Sequence, residues 1–394
     1  MTTAKSVLPA PPSGHARRDR GAERLSAQET LWRESSLERV RKCGRVPLAG
    51  GLVAVKASGL AGSGRFAGFG GLMCCGSTWA CPCCSAKIAA TRKSELQTAM
   101  TEASSRGWSV TMVTLTMRHH KGQALAELWD ALAYAWGKRV VAGRAWQSER
   151  ASFGVQGIVK LVEATHGRNG WHVHVHALVF TDGHSRHSPA GLGPVLFQRW
   201  REGLVAKGLR APAARHGGLH VRTLTGDLAA LGEYFTKGVY GGHAAAIESV
   251  ALEVARGDLK DARFGNRTPF AVLADVVRLG EASDLELWHE WEQASHGRRQ
   301  LTWSRGLRAE LVAEPELSDE EVAAADEGGD VVLLLDRETW RTLCAERGAR
   351  HTLLTLAALD NDGGQLRAYL TARGLAFLER APDDHAPDAG GPPL

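Results

Sequence analysis

Hydrophobic and polar positions alternate most regularly across residues 170–180. Val173, Val175, Ala177 and Val179 fall on one parity there, and His172, His174 and His176 on the other. A period of two is the period of a β-strand, so this stretch predicts a strand with one apolar face and one imidazole face. The run before it, 153–165, carries Ile158, Val159, Leu161 and Val162 and reads as a second strand. Between the two lies His166-Gly167-Arg168-Asn169-Gly170, a turn short enough to make the strands an antiparallel hairpin. Such a hairpin places Glu163 across from the histidines, and a register one residue out would turn it to the opposite face.

Elsewhere the apolar period lengthens to that of helices. Residues 31–41, 86–106, 124–136, 194–208, 226–240, 268–279 and 284–294 read as helical, the clearest being 124–136 with Leu125, Leu128, Trp129, Leu132 and Trp136 on one stripe. Further strands are expected at 108–117 and 219–224. Helices interspersed with strands, with a hairpin at the centre, predict an α+β fold.

Composition divides the chain. Residues 1–30, rich in Arg, Ser, Ala, Pro and Gly without periodicity, read as a disordered basic arm. Residues 31–85 form a cysteine-rich segment with short β-like runs, 86–310 the main domain, and 311–330 an acidic linker. Residues 331–380 read as a small α/β appendage and 381–394 as a disordered tail. No stretch approaches the roughly 20 apolar residues of a membrane helix, and the N-terminus has no apolar signal core, so a cytoplasmic protein without a membrane partner is expected. Residues 313–394 hold 7 basic and 17 acidic side chains, leaving 41 and 26 elsewhere. The first three quarters are therefore basic, which favours a polyanionic partner.

The candidate chemistry sits in three places. Same-face strand positions lie about 7 Å apart, so the outer two histidines are too distant to share one ion, and at most a neighbouring pair chelates. Glu163 across the hairpin would complete a site of two imidazoles and a carboxylate, with positions left open as in a catalytic metal centre. The plainer alternative is a half-buried strand whose polar face happens to be histidine. Secondly, Cys74 and Cys75 followed by Cys81-Pro82-Cys83-Cys84 put five thiols into eleven residues. In a reducing compartment such clustering points to zinc, with Cys43, Cys75, Cys81 and Cys84 as the four thiolates and Cys74 and Cys83 to spare. Thirdly, Tyr234 and Lys237 share a helix face; alone, the pair reads as a core-edge aromatic beside a snorkelling lysine.

Taken in order, the Thr114-Leu115-Thr116 strand end, Glu163, His174-Val175-His176 and Tyr234-x-x-Lys237 resemble the HUH endonucleases, most nearly the rolling-circle replication initiator (Rep) proteins of bacterial plasmids. The likeness extends to Cys75-Gly76-Ser77-x-Trp79-x-Cys81-Pro82 and Trp303-Ser304-Arg305-Gly306-Leu307, covering roughly residues 40 to 310. It implies a central antiparallel sheet flanked by helices, preceded here by the cysteine-rich zinc segment. It also implies a divalent metal, Mg or Mn, on His174, His176 and Glu163, with His172 and Thr116 in support. Tyr234 would be the nucleophile, helped by Lys237, giving a 5′-phosphotyrosyl DNA and a free 3′-hydroxyl primer. Implied partners are plasmid origin DNA, single-stranded or extruded at the nick, and host helicase and polymerase. Relatives with a glutamate four residues before the tyrosine use it to end the cycle; Ala230 stands there in this chain. A conjugative relaxase or single-strand transposase would share the chemistry. A metallohydrolase or oxygenase using the same imidazoles, or a zinc-dependent DNA-binding regulator without catalysis, are the readings from other classes.

Overall fold

A computed structural model describes residues 14–59, 65–185, 187–224, 266–326, 328–360 and 362–379. In chain order its elements begin α1 (Gly14–Glu34), α2 (Glu38–Lys42), β1 (Val53–Ser58), β2 (Phe66–Gly70), α3 (Pro82–Ser105), β3 (Ser109–Thr116), α4 (Leu125–Ala135) and α5 (Gly143–Ser152). They continue β4 (Val155–Gly167), β5 (Gly170–Thr181), α6 (Leu192–Ala206), β6 (Leu219–Leu224), α7 (Pro269–Leu279), α8 (Ala282–Ser295), β7 (Leu301–Trp303) and α9 (Leu307–Leu311). Last come α10 (Asp319–Ala324), β8 (Asp330–Leu335), α11 (Arg337–Ala345), α12 (Ala349–Leu359) and α13 (Gly364–Ala372). The α+β class expected from the sequence holds. The chain divides into two compact units, one of residues 33–41 and 75–323, the other of 1–32, 42–74 and 324–394. Among the described residues no helix is long and apolar enough to cross a membrane.

The larger unit is built on a five-stranded antiparallel sheet of order β6-β3-β5-β4-β7, with the histidine strand β5 in the middle. Its apolar face carries Val173, Val175, Ala177 and Val179, all essentially inaccessible, under helices α4 and α6. The face bearing the histidines is split along its length. At one end Val110, Val159, Leu161, Leu178, Phe180 and Leu224 pack against Leu96, Ala99 and Met100 of α3 and Leu307 and Leu311 of α9. Each such side chain contributes about 1.5–3 kcal/mol on burial, so apolar packing on both faces fixes where the hairpin lies. At the other end the same face turns polar, with Glu163 and the three histidines.

The smaller unit holds a three-stranded sheet, β2-β1-β8, against which α11, α12 and α13 pack. Here the structure departs from the sequence reading. The appendage at 331–380 is no separate body, because β8 pairs with β1 in the cysteine-rich segment, Val53 opposite Leu335. That pairing joins residues far apart in sequence, which no local pattern reveals. Nor is the basic arm at 1–30 without structure: α1 starts at Gly14, and the buried Arg350 of α12 donates to Leu25 O at 3.2 Å and to Gly44 O at 3.0 Å. Arg, Ala, Gln and Glu form helix well without an apolar stripe, so α1 leaves no periodic trace. The helix expected at 31–41 is broken between Glu34 and Glu38.

The stretch 311–330 is no linker where it belongs to the larger unit. It contains α10, buries Val312, Val322 and Ala323, and is held by Arg92, whose Nη2 donates to Asp319 Oδ1 at 2.8 Å and to Leu317 O at 2.6 Å. Its acidic residues meet buried arginines, which composition alone does not disclose. The tail at 381–394 lies outside the described residues.

Candidate active site

The β4–β5 hairpin closes through a two-residue loop, Arg168 and Asn169, between the paired Gly167 and Gly170. Gly170 has φ +83°, a conformation glycine adopts freely, and it sets the register from which the site follows. Counting back from the turn, Glu163 falls directly opposite His174, Thr165 opposite His172 and Leu161 opposite His176. The start of β5 is pinned from the other side by Glu290 of α8. One carboxylate oxygen accepts from Trp171 Nε1 and the other from Leu125 N, both at 2.8 Å.

Three atoms able to bind an ion meet on the polar half of the face. Glu163 Oε2 lies 3.1 Å from His174 Nε2 and 3.2 Å from His176 Nε2, and the two imidazole nitrogens are 3.0 Å apart. His172 is not among them. Its Nδ1 lies 3.0 Å from His119 Nε2, and His119 Nδ1 lies 3.0 Å from Asn169 O. Because a carbonyl only accepts, His119 donates from Nδ1 and, when neutral, accepts at Nε2 from His172 Nδ1–H. This leaves Nε2 of a neutral His172 as a bare acceptor.

Burial and neighbours set the charges. Burial works against an ionised Glu163, but its hydrogen bonds to His174 and His176 outweigh that and hold the carboxyl well below the ordinary range. Burial pulls His172 down to about 4, with the neighbouring His174 and His119 adding to the effect. Burial likewise lowers His176 and His119. Carboxylate and neutral imidazoles are the forms that bind a cation.

The donor set fits a divalent ion, since one carboxylate oxygen and two Nε2 atoms within 4.8 Å of one another form a three-point site. Thr114 supports it: Oγ1 is 3.0 Å from His176 Nδ1 and so turns Nε2 toward Glu163. Thr116, the supporting residue expected from the sequence, ends β3 opposite His174, and its backbone carbonyl accepts from Trp200 Nε1 at 3.2 Å. Thr114 and His119 escaped the sequence reading. Same-face parity on β3 could have found Thr114, which pairs with His176, but the loop that brings His119 to His172 has no period to read.

Cys75, Cys81 and Cys84 of the larger unit also form a group, their sulfurs within 4.8 Å of one another and all buried; Cys43, the fourth thiolate expected from the sequence, is buried in the smaller unit. Cys75 and Cys84 Sγ are 3.7 Å apart, close to the roughly 3.8 Å edge of a tetrahedron with bonds of about 2.3 Å to zinc. Ser77 N donates to Cys75 Sγ at 3.4 Å, and Cys81 and Cys84 sit at the start of α3, where helix N–H groups favour thiolates. The group could therefore hold zinc. Tyr234, Lys237 and Ala230, with the helix expected at 226–240, lie outside the described residues.

Comparison with known proteins gives three findings. A family model described as "Replication protein" matches residues 72–332. "Protein rep" of Streptomyces lividans is 31% identical over 359 residues, covering 76% of this chain and 70% of that protein. "Neomycin resistance protein" of Streptomyces cyanogenus is 31% identical over 140 residues, 29% of this chain and 31% of that one. No solved structure matches.

Proposed function

Since this chain belongs to the replication-protein family, we propose that it initiates rolling-circle plasmid replication by nicking one strand of the origin DNA through Tyr234 and later rejoining it. The observation that carries the reading is the Glu163–His174–His176 group, with contacts of 3.0–3.2 Å, on the polar half of the central sheet of such a protein. Mg or Mn held there would supply Lewis acidity to the non-bridging oxygens of a scissile phosphate. Thr114 keeps the His176 ring turned toward Glu163, and His174 and Glu163 are fixed by facing each other in the hairpin.

The Tyr234 oxygen attacks phosphorus, forming an O–P bond as the phenolic proton leaves. The bond from phosphorus to the 3′-oxygen breaks, and that oxygen takes up a proton to become a 3′-hydroxyl. A phenol with an ordinary pKa near 10 needs help at neutral pH, and Lys237 supplies it as a neighbouring positive charge. Host polymerase extends the 3′-hydroxyl while a host helicase opens the duplex. The four thiolates bind zinc in a structural role.

The test is incubation with single-stranded plasmid DNA and Mn²⁺ or Mg²⁺, followed by denaturing electrophoresis. A covalent protein–DNA adduct is expected from the wild type and none from Tyr234→Phe. An adduct that survives in Tyr234→Phe removes the tyrosine from the reading.

A further inference from the structure

We propose that the recess at the tip of the β4–β5 hairpin is a base-reading pocket that accepts one unstacked purine beside the scissile phosphate and so helps choose where the strand is cut. The proposal rests on the nicking reading above. The recess has a volume of about 470 Å³ and is lined by His119, Arg168, Asn169, Gly170, His172 and Asn266.

Its walls are held in place by close approaches. A Cβ on Gly167 would collide with Asn266 Oδ1, so only glycine lets that amide lie against the turn. A Cβ on Gly170 would come within 3.3 Å of His120 O, so the loop after β3 closes on the other side of the same turn. Asn266 is anchored by its neighbour, since Arg267 and His166 exchange backbone hydrogen bonds of 2.7 and 2.8 Å. His119 is fixed at both ring nitrogens, to Asn169 O and to His172.

The chemistry is that of a base site more than of a phosphate site. Arg168 offers a fork of donors suited to guanine O6 and N7, and the Asn266 amide can both give and accept as adenine N6 and N7 require. Two imidazole rings, edge to face at 5.1 Å, form an aromatic wall of the kind on which unpaired bases stack. A phosphate needs neither amide nor ring, and it occupies far less room. Position completes the argument: the His172 and His174 rings are 5.3 Å apart, so the pocket begins one side chain from the group that would hold the metal. A base held here belongs to a nucleotide flanking the reacting phosphorus.

The test uses the full-length protein with Mn²⁺ and a single-stranded oligonucleotide library of random sequence, sequencing the released 3′ ends and the adducts. One position next to the cut should favour a purine by about tenfold or more in the wild type. Arg168→Ala and Asn266→Ala should reduce that preference to about twofold or less while preferences elsewhere persist. Gly167→Ala should imitate Asn266→Ala, because its Cβ displaces the amide. Unchanged profiles in the variants, or equal losses at every position, would overturn the pocket. If the wild type cuts no oligonucleotide, the nicking reading fails, and equilibrium binding of the same library judges the recess instead. Purine enrichment lost in Asn266→Ala then supports it; equal enrichment by both proteins overturns it.

Discussion

The two groups able to hold metal differ in what surrounds them. The four cysteines are at most 5% exposed, whereas the His174, His176 and Glu163 side chains keep 13%, 16% and 21%. Four thiolates fill a tetrahedron and leave an ion nothing further to bind; two imidazoles and a carboxylate leave places for substrate oxygens. The ligand chemistry divides the same way, soft sulfur suiting zinc, and nitrogen with oxygen suiting harder cations. On the function proposed above, one group would hold chain together and the other would admit a substrate.

Substitutions should separate the two. His174→Ala is expected to lower adduct formation by about 10³-fold or more, the worth of several kcal/mol of Lewis-acid stabilisation, with little change in thermal stability. Loss of both in equal measure would show that the open group is structural as well. Cys84→Ser should do the reverse, removing bound zinc measured by elemental analysis and lowering the melting temperature by roughly 10–20 °C, as expected for about 5 kcal/mol in a unit of this size. A protein that melts unchanged without zinc would end the structural assignment.

Acid probes the open group by another route. His172, held at about 4 against an ordinary 6.5, is protonated in the unfolded chain first. Its contribution is complete above 6.5 and fades as pH falls toward 4. Glu163, held below its ordinary 4.5, adds a contribution that is lost only beneath that value. Chelator-treated protein should therefore resist urea less at about pH 5 than near neutrality, with His172→Gln narrowing the gap. A gap of the same size in that variant would acquit His172.

Smaller effects sharpen the comparison. Thr114→Val keeps all three ligands and frees only the His176 ring, so Mn²⁺ affinity by calorimetry should fall about 10-fold while zinc content stays constant. Cys83→Ser is the smallest change: outside the group of four, Cys83 should cost neither zinc nor stability.

Much of the larger unit was readable because its information is local. The alternation in 170–180, the short turn and Glu163 suffice to place a hairpin and bring three side chains able to hold an ion together, and the strand expected at 219–224 coincides with β6. Distance arithmetic leaves room for only a neighbouring pair of the three histidines, without saying which, and the family likeness picks His174 and His176; in the structure His172 lies 3.0 Å from His119. What escaped was non-local or aperiodic. The β1–β8 pairing, the arginine contacts of α1 and α10, and helix α5, which carries one buried residue, Trp146, leave no repeating apolar signal.

The whole open ligand set lies on one hairpin, in residues 163–176, closed by a two-residue loop. Bringing Glu163 to His174 therefore costs little chain entropy, whereas β6 and β7 must return from far along the chain to complete the sheet. In folding time the ion-binding geometry is then among the first parts of the sheet to form.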